Sequence, residues 1–144
     1  MARPAASAEG LAQLHREPSA RFLEGAPVPA DLDRAAHEVL DRRHARSNFL
    51  GYHGFPAVAC ISPNEVIVHG IPGPRVLNEG DIVSIDCGAI IEGYHGDAAY
   101  TAGVGDISPE ARKLIEVTEA SLVAGIEQMR DGNRLTDIGH AVQT

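Results

Sequence analysis

Ile82-Val-Ser-Ile-Asp86-Cys-Gly-Ala-Ile-Ile-Glu92-Gly93-Tyr-His-Gly-Asp97-Ala-Ala-Tyr-Thr101 reads as two β-strands joined by a Glu-Gly turn, because β-branched and aromatic residues flank a glycine-bearing break. Two acids, Asp86 and Asp97, stand in otherwise uncharged strand interiors. If Glu92 and Gly93 form a two-residue hairpin loop, Ile91 pairs with Tyr94, and counting back along the ladder sets Asp97 opposite Gly88. Asp86 is two residues from Gly88 and therefore shares its face. Diagonal neighbours of this kind have Cβ atoms within about 7 to 8 Å, which lets both carboxylates reach a common point, whereas an odd-length loop would part them. Two ionised carboxylates over an apolar sheet are costly through desolvation and repulsion unless a proton or a cation lies between them. One or two hard divalent cations are the natural partners. The plainer reading is that each acid is exposed or pairs with an arginine.

Outward from this stretch, the region Phe49 to Val104 is a series of short β-rich runs broken by Gly and Pro: Val58 to Ile61, Glu65 to Val68, Ile82 to Ile91 and Tyr94 to Ala102. Antiparallel hairpins are expected. Before it, Leu32, Ala35, Ala36, Val39 and Leu40 recur at helical spacing, giving an amphipathic helix with Asp31 as its cap. After it, Ser108-Pro109-Glu110 is a helix start, and the apolar stripe Ala111, Leu114, Ile115, Leu122 and Ile126 carries the helix to about Met129. A last helix begins near Thr136, with Ile138 and Val142 on one face. Residues 1–30, with prolines at 4, 18, 27 and 29, read as a loosely ordered segment. The order of helix, hairpins and helices predicts an α+β fold with one core in residues 31–144.

Composition limits the function classes. The chain has 144 residues, 44% of them hydrophobic, which suits one small domain. Twelve Lys plus Arg face 20 Asp plus Glu, for a net charge of −8, which argues against nucleic acid as a partner. No apolar run is long enough to span a membrane, and no secretory signal opens the chain. The two cysteines, Cys60 and Cys87, suggest neither a disulfide framework nor a four-ligand zinc site, and a cytoplasmic location is expected.

Two histidines stand at marked places. His69, in His69-Gly-Ile-Pro72, follows the expected strand Glu65 to Val68 and precedes a turn. His53 lies in Gly51-Tyr-His-Gly-Phe-Pro56, a loop whose Tyr52 and Phe55 either pack beneath it or line a small apolar pocket with Cys60. A structural role is the plainer reading of both histidines.

Five ordered blocks, Gly51-Tyr-His-Gly-Phe-Pro56, Cys60-Ile-Ser-Pro-Asn-Glu65, His69-Gly-Ile-Pro72, Gly80-Asp-Ile-Val-Ser-Ile-Asp86 and Gly93-Tyr-His-Gly-Asp97, closely resemble type I methionine aminopeptidase. The His-Gly-Ile-Pro form is closer to type I than to type II or to the prolidase and creatinase relatives. The resemblance covers roughly residues 32–144. It implies the pita-bread (creatinase/aminopeptidase) fold, with two pseudo-symmetric halves around a dinuclear centre, and removal of the initiator methionine from nascent proteins. By carry-over, Asp86 and Asp97 are metal ligands, Asp97 bridging, and His69 is the catalytic histidine at the scissile amide. Tyr52, His53, Phe55, Cys60 and His69 are implied to bind substrate, an N-terminal methionyl peptide. Divalent metal ions are the implied cofactors, two per complete site, with Co, Mn, Fe and Zn not distinguished by the sequence.

Two departures accompany the resemblance. Residues 1–31 do not match the family's opening helix. Beyond Asp97 the chain carries none of the family's further motifs, which hold a metal-binding histidine, two metal-binding glutamates and a second catalytic histidine; only His140 and scattered helical acids are present. The expectation is the N-terminal half of the catalytic domain, truncated, with weak metal binding and negligible turnover by itself. Such a half leaves a strand edge and apolar faces uncovered, so self-association or pairing with a missing C-terminal half is expected. The alternatives are a non-catalytic interaction module and one half of a split enzyme.

Overall fold

The computed structural model describes residues 28–144, so most of the segment read as loosely ordered lies outside the described residues. Two compact units divide the described chain, one ending at Ile107 and the other spanning Ser108–Thr144, where the sequence suggested a single core. The buried hydrophobic cluster lies wholly in the first unit, while Leu114, Leu122 and Ile126 of the second are exposed.

Helix α1 (Pro29–Arg42) opens the first unit. It starts two residues before the expected cap: Val28 is the N-cap, and Pro29 occupies the first turn, where its missing N–H costs nothing. Asp31 sits instead inside that first turn, paired with Arg34. The expected stripe is buried as read, with Leu32, Ala35, Ala36, Val39 and Leu40 all turned inward. Asp33, from the same helix, accepts hydrogen bonds from the backbone N–H groups of Val58 and Ala59, both at 2.9 Å, and so pins the start of the next long strand to the helix.

Four antiparallel strands follow: β1 (Arg46–Ser47), β2 (Ala59–Pro63), β3 (Ile82–Ile91) and β4 (Tyr94–Gly103). Strand β3 is central. It pairs with β4 along its whole length on one edge, and with β2 and then β1 along the other. Val83, Ile85, Cys87 and Ala89 point into the core against α1 and β2 residues, including Leu32 and Ile61. The expected strand Glu65 to Val68 does not form. Those residues are a turn and loop, with Ile67 87% exposed and Val68 63% exposed, and the stretch of β3 nearest them is already paired with β2. The loop is closed at its base by Asn64 and Asp81. Asn64 accepts from the Ile82 N–H and donates to Asp81, which also accepts from the Asn78 N–H.

The second unit contains α2 (Pro109–Glu127) and α3 (Leu135–Gln143). Ser108 caps α2 by accepting from the Ala111 N–H at 3.1 Å, as its position before Pro109 suggests. Ile138 and Val142 of α3 lie against Gly125 of α2, where a Cβ would stand 2.8 Å from a Val142 methyl. Gly125 thus permits the close approach of the two helices.

Candidate active site

The β3–β4 hairpin has the register expected from a two-residue loop. Glu92 and Gly93 both have positive φ, 53° and 85°, as a type I′ turn requires, and Ile91 faces Tyr94. Gly88 therefore lies opposite Asp97, and Asp86 opposite Ala99. The even spacing puts Asp86 and Asp97 on one face, the face away from the apolar core. Ser84 and Thr101, a pair further along the same face, share a 2.7 Å hydrogen bond between their hydroxyls. From the other edge of β3, Cys60 stands directly opposite Asp86.

The loops complete a cavity of about 760 Å³ over this face. Tyr52, His53, Phe55, Cys60, His69, Asp86 and Asp97, every site residue singled out in the sequence, line it together. Tyr52 and His53 belong to a single 3-10 turn, their rings 4.4 Å apart and nearly perpendicular, and Phe55 packs edge-on to Phe49 at 6.4 Å. His69 does not end a strand. It sits in a loop with φ of 57°, held by the next residue: Gly70 accepts from the Ile61 N–H at 2.9 Å and donates to Ser62 Oγ at 3.1 Å. A Cβ on Gly70 would lie 2.2 Å from the Ile61 carbonyl oxygen, so only glycine lets this loop press against β2 and carry His69 to the cavity.

Sequence reading left out Asn48, Phe49 and Ile71, which also line the cavity, and gave His95 no role. The signal for His95 was present, since it has the same strand parity as Asp97. Asn48 had no local signal, because its place depends on Gly88, forty residues away in sequence, lacking a side chain.

The electrostatics are those of a site short of positive charge. Burial first, and then the neighbouring Asp97 carboxylate, push Asp86 up to about 6, with His69 acting in the opposite sense. Protonated Asp86 can donate a hydrogen bond to Asp97, while its Oδ1 is buried with no hydrogen-bond partner. Burial and the same two acids raise the Cys60 thiol to about 11, which leaves it a neutral wall residue rather than a nucleophile at neutral pH. A buried, partnerless carboxylate oxygen beside a second acid fits a hard cation, and Asp86 and Asp97 are the residues that would hold it. Among the described residues no three His, Cys, Asp or Glu side chains converge in a way that would enclose an ion.

The chain as a whole matches a known class. The model of metallopeptidase family M24 fits residues 6–144, and the chain belongs to that family. Its relatives include the methionine aminopeptidase of Clostridium acetobutylicum, 56% identical over 127 residues, which cover 85% of this chain and 51% of that protein. Methionine aminopeptidase 1 of Mycobacterium tuberculosis is 54% identical over 129 residues, covering 86% of this chain and 48% of that one. The crystal structure of methionine aminopeptidase from Thermotoga maritima superimposes with a TM-score of 0.88 at 34% identity, covering 92% of this chain and 53% of that one. The Rickettsia prowazekii methionine aminopeptidase gives 0.85 at 35% identity, with 90% and 54% covered. The fold is the α+β pita-bread fold of these enzymes, and the chain spans about half the length of the relatives it matches. Among the described residues no helix is long and apolar enough to cross a membrane.

Proposed function

We propose that the protein acts in metal-dependent removal of N-terminal methionine from nascent polypeptides, with Asp86 and Asp97 holding the metal and His69 contacting the scissile amide. The observation that carries this reading is the pair of acids on one sheet face, one with a partnerless buried oxygen, inside a cavity walled by aromatic side chains. Tyr52, His53, Phe55 and Cys60 form the wall for the methionine side chain. Thioethers suit such a wall, since they are apolar, flexible and favour aromatic edges. His69 is placed by Gly70 to hydrogen-bond the scissile amide and so fix the substrate's register. Divalent ions, when bound, supply Lewis-acid polarisation of the scissile carbonyl and activation of water. Asp86 and Asp97 would hold them within the cavity.

A second reading, an interaction module without turnover or one half of a two-chain enzyme, is favoured by the lack of a third enclosing His, Cys, Asp or Glu among the described residues. Titration of the 144-residue chain with L-methioninamide, followed by amide chemical shifts, tests the pocket. Perturbations centred on Tyr52, Phe55, Cys60 and His69 are expected, and weaker ones with glutaminamide. Equal, scattered shifts with both compounds would sink the methionine reading. Turnover of a methionyl-alanyl peptide with Mn²⁺, Co²⁺ or Fe²⁺ separates the two readings. Robust activity lost in Asp97→Ala would dismiss the second, and near inactivity of the chain by itself would favour it.

A further inference from the structure

Two buried side-chain oxygens lack a hydrogen-bond partner among the described residues, Asp86 Oδ1 and Asn48 Oδ1, and both belong to residues lining one cavity. Their coincidence has a structural cause. The Asn48 N–H donates to the Gly88 carbonyl at 3.1 Å, and its side chain folds over Gly88. A Cβ on Gly88 would stand 2.6 Å from Asn48 Nδ2, 2.8 Å from its Cβ and 2.9 Å from its Cγ, so the Asn48 side chain occupies the very space a residue-88 side chain would fill. That space is on the face of Asp86, two residues along β3, and beside Asp97, directly across the ladder. The orientation of the amide is also fixed. Asn48 Nδ2 donates to the Gly96 carbonyl, which can only accept, at 3.3 Å, and this turns Oδ1 the other way.

We infer that Asn48 is a third, neutral oxygen donor to the divalent cation held by Asp86 and Asp97. A buried acceptor with no donor costs free energy, and this one is maintained by a glycine and a second hydrogen bond rather than relieved. Carboxamide oxygens are ordinary ligands of hard cations, and a neutral third donor adds coordination without adding to the repulsion between the two carboxylates. The set of two carboxylates and one amide favours Mn²⁺ or Mg²⁺ over softer ions. This inference rests on the reading of Asp86 and Asp97 as metal ligands.

Mn²⁺ binding to the 144-residue chain, measured by electron paramagnetic resonance of the free ion, tests it with the metal alone as probe. Asn48→Leu removes the donor, and Gly88→Ala keeps every donor but displaces the amide; each is expected to weaken Mn²⁺ binding about tenfold, the low end of what supporting residues contribute to metal sites. Asn48→Asp, which retains an oxygen and adds charge, is expected to bind at least as tightly as the parent. Unchanged affinity in folded Asn48→Leu and Gly88→Ala, with binding lost in Asp97→Asn, would overturn the role of Asn48 and leave the acids as ligands. No Mn²⁺ binding by the parent chain, or binding indifferent to Asp97→Asn, would overturn the metal reading and the inference together.

Discussion

Individual residues here act mostly by fixing backbone that carries other residues to the cavity. Asp81 is one such residue. Its two oxygens tie the Asn78 N–H and the Asn64 carboxamide, and these hydrogen bonds, the Asn78 N–H first, hold its carboxyl below the usual aspartate range. A carboxyl depressed in the folded state adds stability that is present above the unfolded pKa and lost as pH falls through the folded one. Asp81→Ala should therefore destabilise the chain by about 1 kcal/mol at pH 7, the usual worth of such hydrogen bonds. In urea unfolding the difference should shrink once the pH drops below the ordinary aspartate range, and a difference that persists undiminished there would remove the charge from the explanation.

At the scale of elements, the hairpin of β3 and β4 was legible because its signals are local. Apolar alternation marks the strands, Glu92-Gly93 fits a type I′ turn, and parity then fixes which face Asp86 and Asp97 share. Helix α2 was equally plain from Ser108-Pro109. What the sequence hid depends on distant partners. The run Glu65 to Val68 has strand composition, yet the edge of β3 it would need is taken by β2. Pro29 starts α1 where Asp31 was expected to, since Val28 already has the extended backbone of an N-cap. Asn48 becomes a cavity residue only because Gly88 leaves room for it. The approach of Gly70 to β2 is likewise invisible in the motif His69-Gly-Ile-Pro72, although it determines where His69 stands. Gly70→Ala forces a Cβ onto the Ile61 carbonyl and should cost about 1 to 3 kcal/mol, the range for overpacked sites. Equilibrium denaturation would measure it, and a neutral outcome would mean that the loop moves freely away from β2.

At the scale of the molecule, apolar surface is exposed among the described residues. Among the described residues β4 pairs on one edge only, and in α2 Leu114, Leu122 and Ile126, three residues of the expected stripe, are 58%, 58% and 52% exposed. Free strand edges and apolar patches recruit partners. Sedimentation of the 144-residue chain should show concentration-dependent association, and a strictly monomeric species up to high concentration would contradict it. The central claim, that the two acids of the hairpin converge on one cation, is tested most directly by paramagnetic line broadening. Mn²⁺ added to the ¹⁵N-labelled chain should selectively broaden the amides around Asp86 and Asp97, including Gly88 and Cys60, and the effect should vanish in Asp97→Asn. Broadening centred on the acids of α1 or α2, or broadening at the hairpin that survives Asp97→Asn, would contradict it.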